Sequence, residues 1–237
     1  MIAYLGGKSR IAKELINYML AERDENMTWV EPFMGSGRVL FNVKGPRIGN
    51  DINHELIALF KAVQNDIELP SEITEEQYNH IKSNPNLYPN YLKGFVSIGC
   101  SFGSKRWGGY ARDSKNTNYA DLTKRNLLKS QHLMKGVKLF CCDYKDLEIP
   151  KNSLIYCDPP YLNTTGYGFD FNHDEFYDWC NTKVKQGHLV FISEYQAPFQ
   201  LVWSKKVFVS LEKKNINYKE EKLFRVHKER PFKLRTY

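Results

Sequence analysis

Thr28-Trp29-Val30-Glu31-Pro32-Phe33-Met34-Gly35-Ser36-Gly37 decides the fold. A short strand-forming run passes directly into an acid, a proline and a glycine-rich turn. Before it, Ile11, Leu15, Ile16 and Met19 fall at helical spacing within Ser9–Leu20. After it, Arg38–Val43 reads as the helix that follows such a turn, Arg47–Asp51 as a second short strand and Glu55–Val63 as another helix. Strand, glycine turn, helix, strand, helix is the start of an α/β fold with a parallel sheet. The rhythm stops near Leu69-Pro70. It resumes with strands over 137–142, 154–157 and 188–192 and a helix over 175–184. A last β segment, Val207-Phe208-Val209, precedes a hairpin placed at Lys222–Lys233. The simplest organisation is one α/β domain, 1–69 with 136–237, interrupted by an insertion at 70–135. That insertion reads as helix and loop, with its helical pieces only at the edges.

In an open α/β sheet, ligands bind at the carboxyl ends of strands, near the point where the strand order reverses. Acids stand at those ends. Glu31 begins a turn in which Gly35 and Gly37 let the backbone approach a ligand closely. Asp51 lies 20 positions beyond Glu31, the spacing by which an acid meets a ribose diol in a nucleoside site. A nucleotide phosphate is the rival ligand, because Gly7-Lys8-Ser9 mimics the end of a phosphate-binding loop. Ile2, however, stands where that motif needs its first glycine. An acid without a lysine at the glycine turn suits a cationic or zwitterionic ligand better than a triphosphate. Asp143, after the third strand, is placed either to accept from an adenine amino group or to cap a turn.

The apolar run Leu154-Ile155-Tyr156-Cys157 ends in Asp158-Pro159-Pro160-Tyr161. Prolines end many strands in ordinary turns. Here the loop also offers one carboxylate, one exposed carbonyl and one flat ring, which is what gripping an amino group on a planar heterocycle requires. Two acceptors take the N–H protons and the ring stacks on the base. Cys157 precedes the motif and reads as buried packing, not as a nucleophile. Asn163–Phe169 is a loop of small residues, expected to close over an extruded base. His173 is read, with Asn172, as opening the next helix rather than as a base.

The charge balance points to nucleic acid. The 237 residues carry 34 basic against 27 acidic side chains, and the excess is concentrated. Between Lys82 and Lys135 there are ten basic residues, opposed only by Asp113 and Asp121. They include Lys105, Arg106, Arg112, Lys124 and Arg125, interleaved with glycines and with aromatics such as Trp107 and Tyr110. Basic groups for phosphates and rings for bases make these seven the candidate DNA contacts. The five cysteines show no metal-ligand spacing, and the polar, glycine-bearing start is unlike a secretory signal. A cytoplasmic protein with reduced thiols, no metal and no membrane partner is expected, acting as a monomer.

Ala3-Tyr4-Leu5-Gly6-Gly7-Lys8, Glu31–Gly37, Asp51-Ile52-Asn53 and Asp158–Tyr161, in that order, resemble the Dam-type (D12 class, alpha arrangement) adenine-N6 DNA methyltransferases. Ser101-Phe102-Gly103 and Trp107–Arg112 resemble their short phage or prophage members. The resemblance implies a Rossmann-like methyltransferase sheet, S-adenosylmethionine as cofactor, and a target-recognition insertion at 70–135. By position it places Tyr4, Lys8, Glu31, Phe33, Gly35, Ser36, Gly37, Asp51, Asp143 and Asp158 around the cofactor. Tryptophan often stands in the family where this chain has Tyr4. Asp158, Pro159 and Tyr161 would be catalytic, and Ser193-Glu194-Tyr195 fits the family's layout without an assigned role. The expected partner is DNA, duplex in the first instance, methylated after base flipping by direct in-line displacement. The alternatives are the same chemistry on RNA, cytosine-N4 methylation, and a non-catalytic nucleic-acid-binding regulator.

Overall fold

The computed structural model describes residues 1–3, 7–161, 171–212 and 215–227. The first helix, α1 (Ala12–Leu20), buries Leu15, Ile16 and Met19 and leads to β1 (Thr28–Glu31). Next come β2 (Arg47–Asn50) and α2 (His54–Gln64). The start of α2 is fixed by Asn53, whose side chain accepts from the amides of Glu55 and Leu56. Then follow α3 (Glu75–Ser83), α4 (Asn90–Gly94) and α5 (Tyr119–Met134). The chain returns through β3 (Val137–Phe140), β4 (Ser153–Cys157), α6 (His173–Lys185) and β5 (Leu189–Ser193). It continues into two long strands, β6 (Gln200–Glu212) and β7 (Asn215–Val226).

The seven strands form one sheet in the order β3-β2-β1-β4-β5-β7-β6. The first five are parallel, while β7 runs antiparallel to both β5 and β6. Strand order reverses between β1 and β4, where Val30 pairs with Ile155. A crevice therefore opens between the ends of these two strands, with Glu31 on one side and Asp158 on the other.

Both faces of the sheet are covered, and the period of two is visible along β4. Leu154 and Tyr156 join a core with Leu15, Trp29, Leu40, Phe60 and Phe191. Ile155 and Cys157 point to the opposite face, among Val30, Ile48, Phe176, Cys180 and Val190. Cys157 is thus packing, as its place in the sequence suggested. The insertion shares the first core through Tyr78, Ile81, Phe95, Val96, Ile98 and Leu127.

Three expectations need correction. Arg38–Val43 is not a helix beyond a single 3-10 turn at Leu40–Asn42. The segment is short, carries β-branched Val39 and Val43, and stops at Gly45-Pro46, with Gly45 at φ 86°. The insertion's helical part reaches beyond its edges, since α4 continues into a π-helical turn at Phe95–Gly99, while residues 100–118 form a loop with one 3-10 turn at Phe102–Ser104. Its glycines mark close packing there. A Cβ on Gly94 would lie 2.3 Å from the backbone oxygen of Glu55, and one on Gly99 would lie 2.5 Å from Thr123. Finally, the terminal hairpin is Gln200–Val226, well before the place expected for it. Charged residues at Lys205-Lys206 and Lys219-Glu220-Glu221-Lys222 interrupt the apolar pattern, so that of these strands only Val207–Val209 reads as β from the sequence. Among the described residues, no helix is long and apolar enough to cross a membrane.

Candidate active site

The glycine turn after β1 is held by the end of β2. One Asp51 carboxylate oxygen accepts from the Gly35 amide at 2.9 Å and the other from the Asn53 amide at 2.9 Å. Gly35 and Gly37 adopt φ of 46° and 65°, a backbone region that favours glycine. A Cβ on Gly37 would meet the Phe41 ring at 2.3 Å. Asn50 ties three strand ends together, donating to the carbonyls of Pro32 at 3.1 Å and Cys142 at 2.9 Å. Ser36 is buried in the turn. Phe33 packs on Tyr144, Phe171 and Phe176, with ring centroids 5.1–5.7 Å apart.

Glu31 is buried, and Trp29 Nε1 donates to its carboxylate at 2.8 Å. Burial pushes its pKa up to about 8; the nearby Asp158 charge adds to the rise and the Trp29 hydrogen bond opposes it. Burial also raises Asp51, against the two amides it accepts from. Asp143 accepts from the Lys145 amide at 2.9 Å, as a turn aspartate does, one residue beyond the Cys142 that Asn50 holds.

Across the crevice, Lys8 reaches Asp158. The buried ammonium lies 2.9 Å from the Asp158 carboxylate and 3.7 Å from Glu221, and 4.7 Å from the centroid of the Tyr161 ring. The Tyr161 hydroxyl donates to Glu221 at 3.2 Å, and Tyr195 meets the ring edge-on at 4.6 Å. Asp158 is pushed above the ordinary carboxylate range by burial; Lys8 opposes the shift and Glu221 adds to it. Tyr161 is raised well above its usual value, again chiefly by burial. The loop is pinned from behind by His173, whose Nε2 lies 3.1 Å from the Pro160 carbonyl and 3.6 Å from the buried carboxylate of Glu194. Asn172 caps α6 and His173 opens it as expected, while the His173 ring lies against the Asp158–Tyr161 loop.

The structure therefore brings Lys8, Glu31, Phe33, Gly35, Ser36, Gly37, Asp51, Asp158, Pro159 and Tyr161 to the ends of three neighbouring strands, β2, β1 and β4. Tyr4 and the Asn163–Phe169 loop lie outside the described residues. Glu221 was missed by sequence reasoning, while Glu194, singled out there without a role, proves to be the buried acid beside His173. Glu221 sits in the charged run Lys219-Glu220-Glu221-Lys222, which looks like a solvated strand, and no motif marks it.

The insertion's candidates are dispersed in role. The Arg106 guanidinium meets the buried Glu55 carboxylate of α2 at 3.0 Å, tying the insertion to the sheet layer. Arg112 pairs with Glu75, and Arg125 with Asp121 at 2.8 Å. Lys124 donates to Ser71 at 2.9 Å. The Trp107 ring packs edge-on against Tyr78 at 5.4 Å, and the Tyr110 hydroxyl donates to the Ile73 carbonyl at 2.8 Å. Lys105 is exposed, and close by Phe102 is 68% exposed. The loop that carries them is closed by the Phe102 amide donating to Gly109 at 2.8 Å.

A family model, D12 class N6 adenine-specific DNA methyltransferase, matches residues 4–105 and 104–230. The chain belongs to that family. It is similar to the Type II methyltransferase M.MjaIII of Methanocaldococcus jannaschii, at 27% identity over 73% of this chain and 75% of the relative. It is also similar to the DNA adenine methylase of Haemophilus influenzae, at 29% identity over 70% of this chain and 67% of the relative. This methyltransferase acts on the N6 amino group of adenine in DNA, with S-adenosylmethionine as methyl donor. The glycine turn is compatible with that donor: Gly35 and Gly37 give it a tight positive-φ backbone, and the Glu31 and Asp51 side chains stand beside it as polar partners for a hydroxylated molecule.

Proposed function

We propose that the crevice between β1 and β4 performs the transfer, with the glycine turn holding the donor and the Asp158–Tyr161 loop holding the adenine. The observation that carries this reading is the Asp158-Pro159-Pro160-Tyr161 loop itself, set at the sheet's reversal point beside the glycine turn, with Lys8 on its carboxylate at 2.9 Å. When bound, S-adenosylmethionine supplies a methyl group carried on a sulfonium.

The adenine amino group is a poor nucleophile because its lone pair is delocalised into the ring. Asp158 and the Pro159 carbonyl accept its two N–H bonds, which localises that pair. Lys8 opposes the upward push of burial on Asp158 and so favours the ionised form, which accepts rather than donates. The gain comes from orientation and fixed charge, with no covalent intermediate on the protein. Tyr161 stacks on the base, which must leave the duplex to reach it. Asp158 or solvent takes the proton released after transfer.

The insertion at 70–135 serves as the target-recognition element on duplex DNA. Its exposed Lys105, Arg112 and Arg125 approach phosphates, and Phe102 offers an exposed ring for stacking. The test is incubation with labelled donor and separate duplex DNA, single-stranded DNA and RNA, with the product nucleoside identified by mass. N6-methyladenine from duplex DNA supports the reading. N4-methylcytosine, or label only in RNA, contradicts it.

A further inference from the structure

We propose that Glu221, on β7, is a positioning residue of the methyl-transfer site, holding Tyr161 by its hydroxyl and sharing Lys8 with Asp158. The inference rests on the functional reading above and concerns a residue outside every motif that marks the site. The antiparallel β7 lies beside β5 and carries Glu221 to the crevice, 60 positions along the chain from Tyr161. Two residues further along the same face, Leu223 is fully buried and anchors the strand in the core. Only 18% of the Glu221 side chain is exposed, so its carboxylate is committed to this cluster.

Two consequences follow from the geometry. A ring that stacks on a base must be held in its plane. The hydroxyl-to-Glu221 bond at 3.2 Å fixes the far end of Tyr161, while Lys8 sits over the ring at 4.7 Å. The second consequence is electrostatic. A single ammonium at 2.9 Å from Asp158 and 3.7 Å from Glu221 divides its field between two carboxylates. Asp158 is also faced by Glu31 from β1, by Tyr156 from β4 and by Tyr161 in its own loop. Of these neighbours, Glu221 and Glu31 carry negative charge when ionised, and Lys8 carries the positive charge. The charge of Glu221 therefore makes Asp158 a better proton acceptor than a simple lysine pair would. Transfer needs Asp158 ionised, so the rate is lost as pH falls through its titration, and Glu221 sets that limb higher.

Single-turnover methyl transfer to duplex DNA, measured across pH, tests this for wild type, Glu221→Gln and Glu221→Ala. Glu221→Gln keeps an acceptor for the Tyr161 hydroxyl but loses the charge. Its acid limb is expected to move to lower pH, with a small loss of plateau rate. Glu221→Ala loses the acceptor as well, and its plateau is expected to fall on the order of tenfold or more. Tyr161→Phe removes the same hydrogen bond, together with the hydroxyl's bond to Asp158, without touching β7. Its plateau should fall at least as far, and adding Glu221→Ala to it should cost the plateau little further while still moving the acid limb to lower pH. An unmoved acid limb in Glu221→Gln, or a wild-type rate in Glu221→Ala, overturns the proposal. A wild type that methylates no adenine sinks the functional reading, and this inference with it.

Discussion

In the crevice, charged groups meet across long stretches of chain. Lys8 before α1, Asp158 after β4 and Glu221 in β7 converge within 3.7 Å, and all are at least three-quarters buried. In the insertion, the arginines meet acids at the surface. Arg112 with Glu75 and Arg125 with Asp121 are each more than one-third exposed on both sides. Where water is excluded, each charge alters the protonation of its neighbour. Where water screens the pair, the contribution is about 0–1 kcal/mol and the cation stays available to a phosphate. Arg106 belongs to neither class: half exposed itself, it meets a Glu55 that is 5% exposed.

That contrast can be broken in order of effect. Lys8→Met should lower the single-turnover rate on the order of a hundredfold. It should also move the acid limb to higher pH, since Asp158 would lose the group that opposes its upward shift. A limb moving to lower pH would show that Lys8 does not govern Asp158. In the insertion, Gly94→Ala should destabilise the fold by about 1–3 kcal/mol in urea unfolding, because the atom it would strike is backbone and cannot turn aside. Unchanged stability would mean that α4 and α2 separate at little cost. Arg106→Ala should cost about 1–2 kcal/mol, leaving Glu55 buried without its partner, whereas Arg112→Ala should leave stability within about 0.5 kcal/mol. For Arg112→Ala the expected loss is in DNA affinity, with the salt slope reduced by about 1.

A last effect is a stability slope, spread over several pH units. Glu31 is raised from 4.5 to about 8 in the fold, so between those values the native state binds more protons than the unfolded chain. Stability contributed by Glu31 is therefore full below pH 4.5 and is lost as pH rises toward 8. Thermal melts of Glu31→Gln should decline less over this window than those of wild type. Parallel curves would show that Glu31 ionises normally.

These differences also explain what could be read from the chain alone. The glycine turn, Asp51 and Asp158–Tyr161 are local: a strand end and a few fixed neighbours define them, so their place at the crevice followed from their order. The ion pairs of the insertion are not local. Counting residues 82–135 left out Glu55 and Glu75, which fold back to face Arg106 and Arg112. Gly94 and Gly99 looked like loop residues because a helix packed closely against another helix needs the same missing side chain that a turn does. Glu221 was hidden by its own strand, whose charged run suits an exposed hairpin, and only the pairing of β7 with β5 carries it inward.

The central claim is that Asp158 serves the adenine amino group from a loop distinct from the one that holds the donor. Single-turnover transfer by Asp158→Ala, set beside calorimetric binding of S-adenosylmethionine to the same variant, tests it most directly. The account predicts a rate lower by on the order of a thousandfold, with donor affinity at most weakened. Retained transfer, or donor binding abolished along with it, would contradict the account.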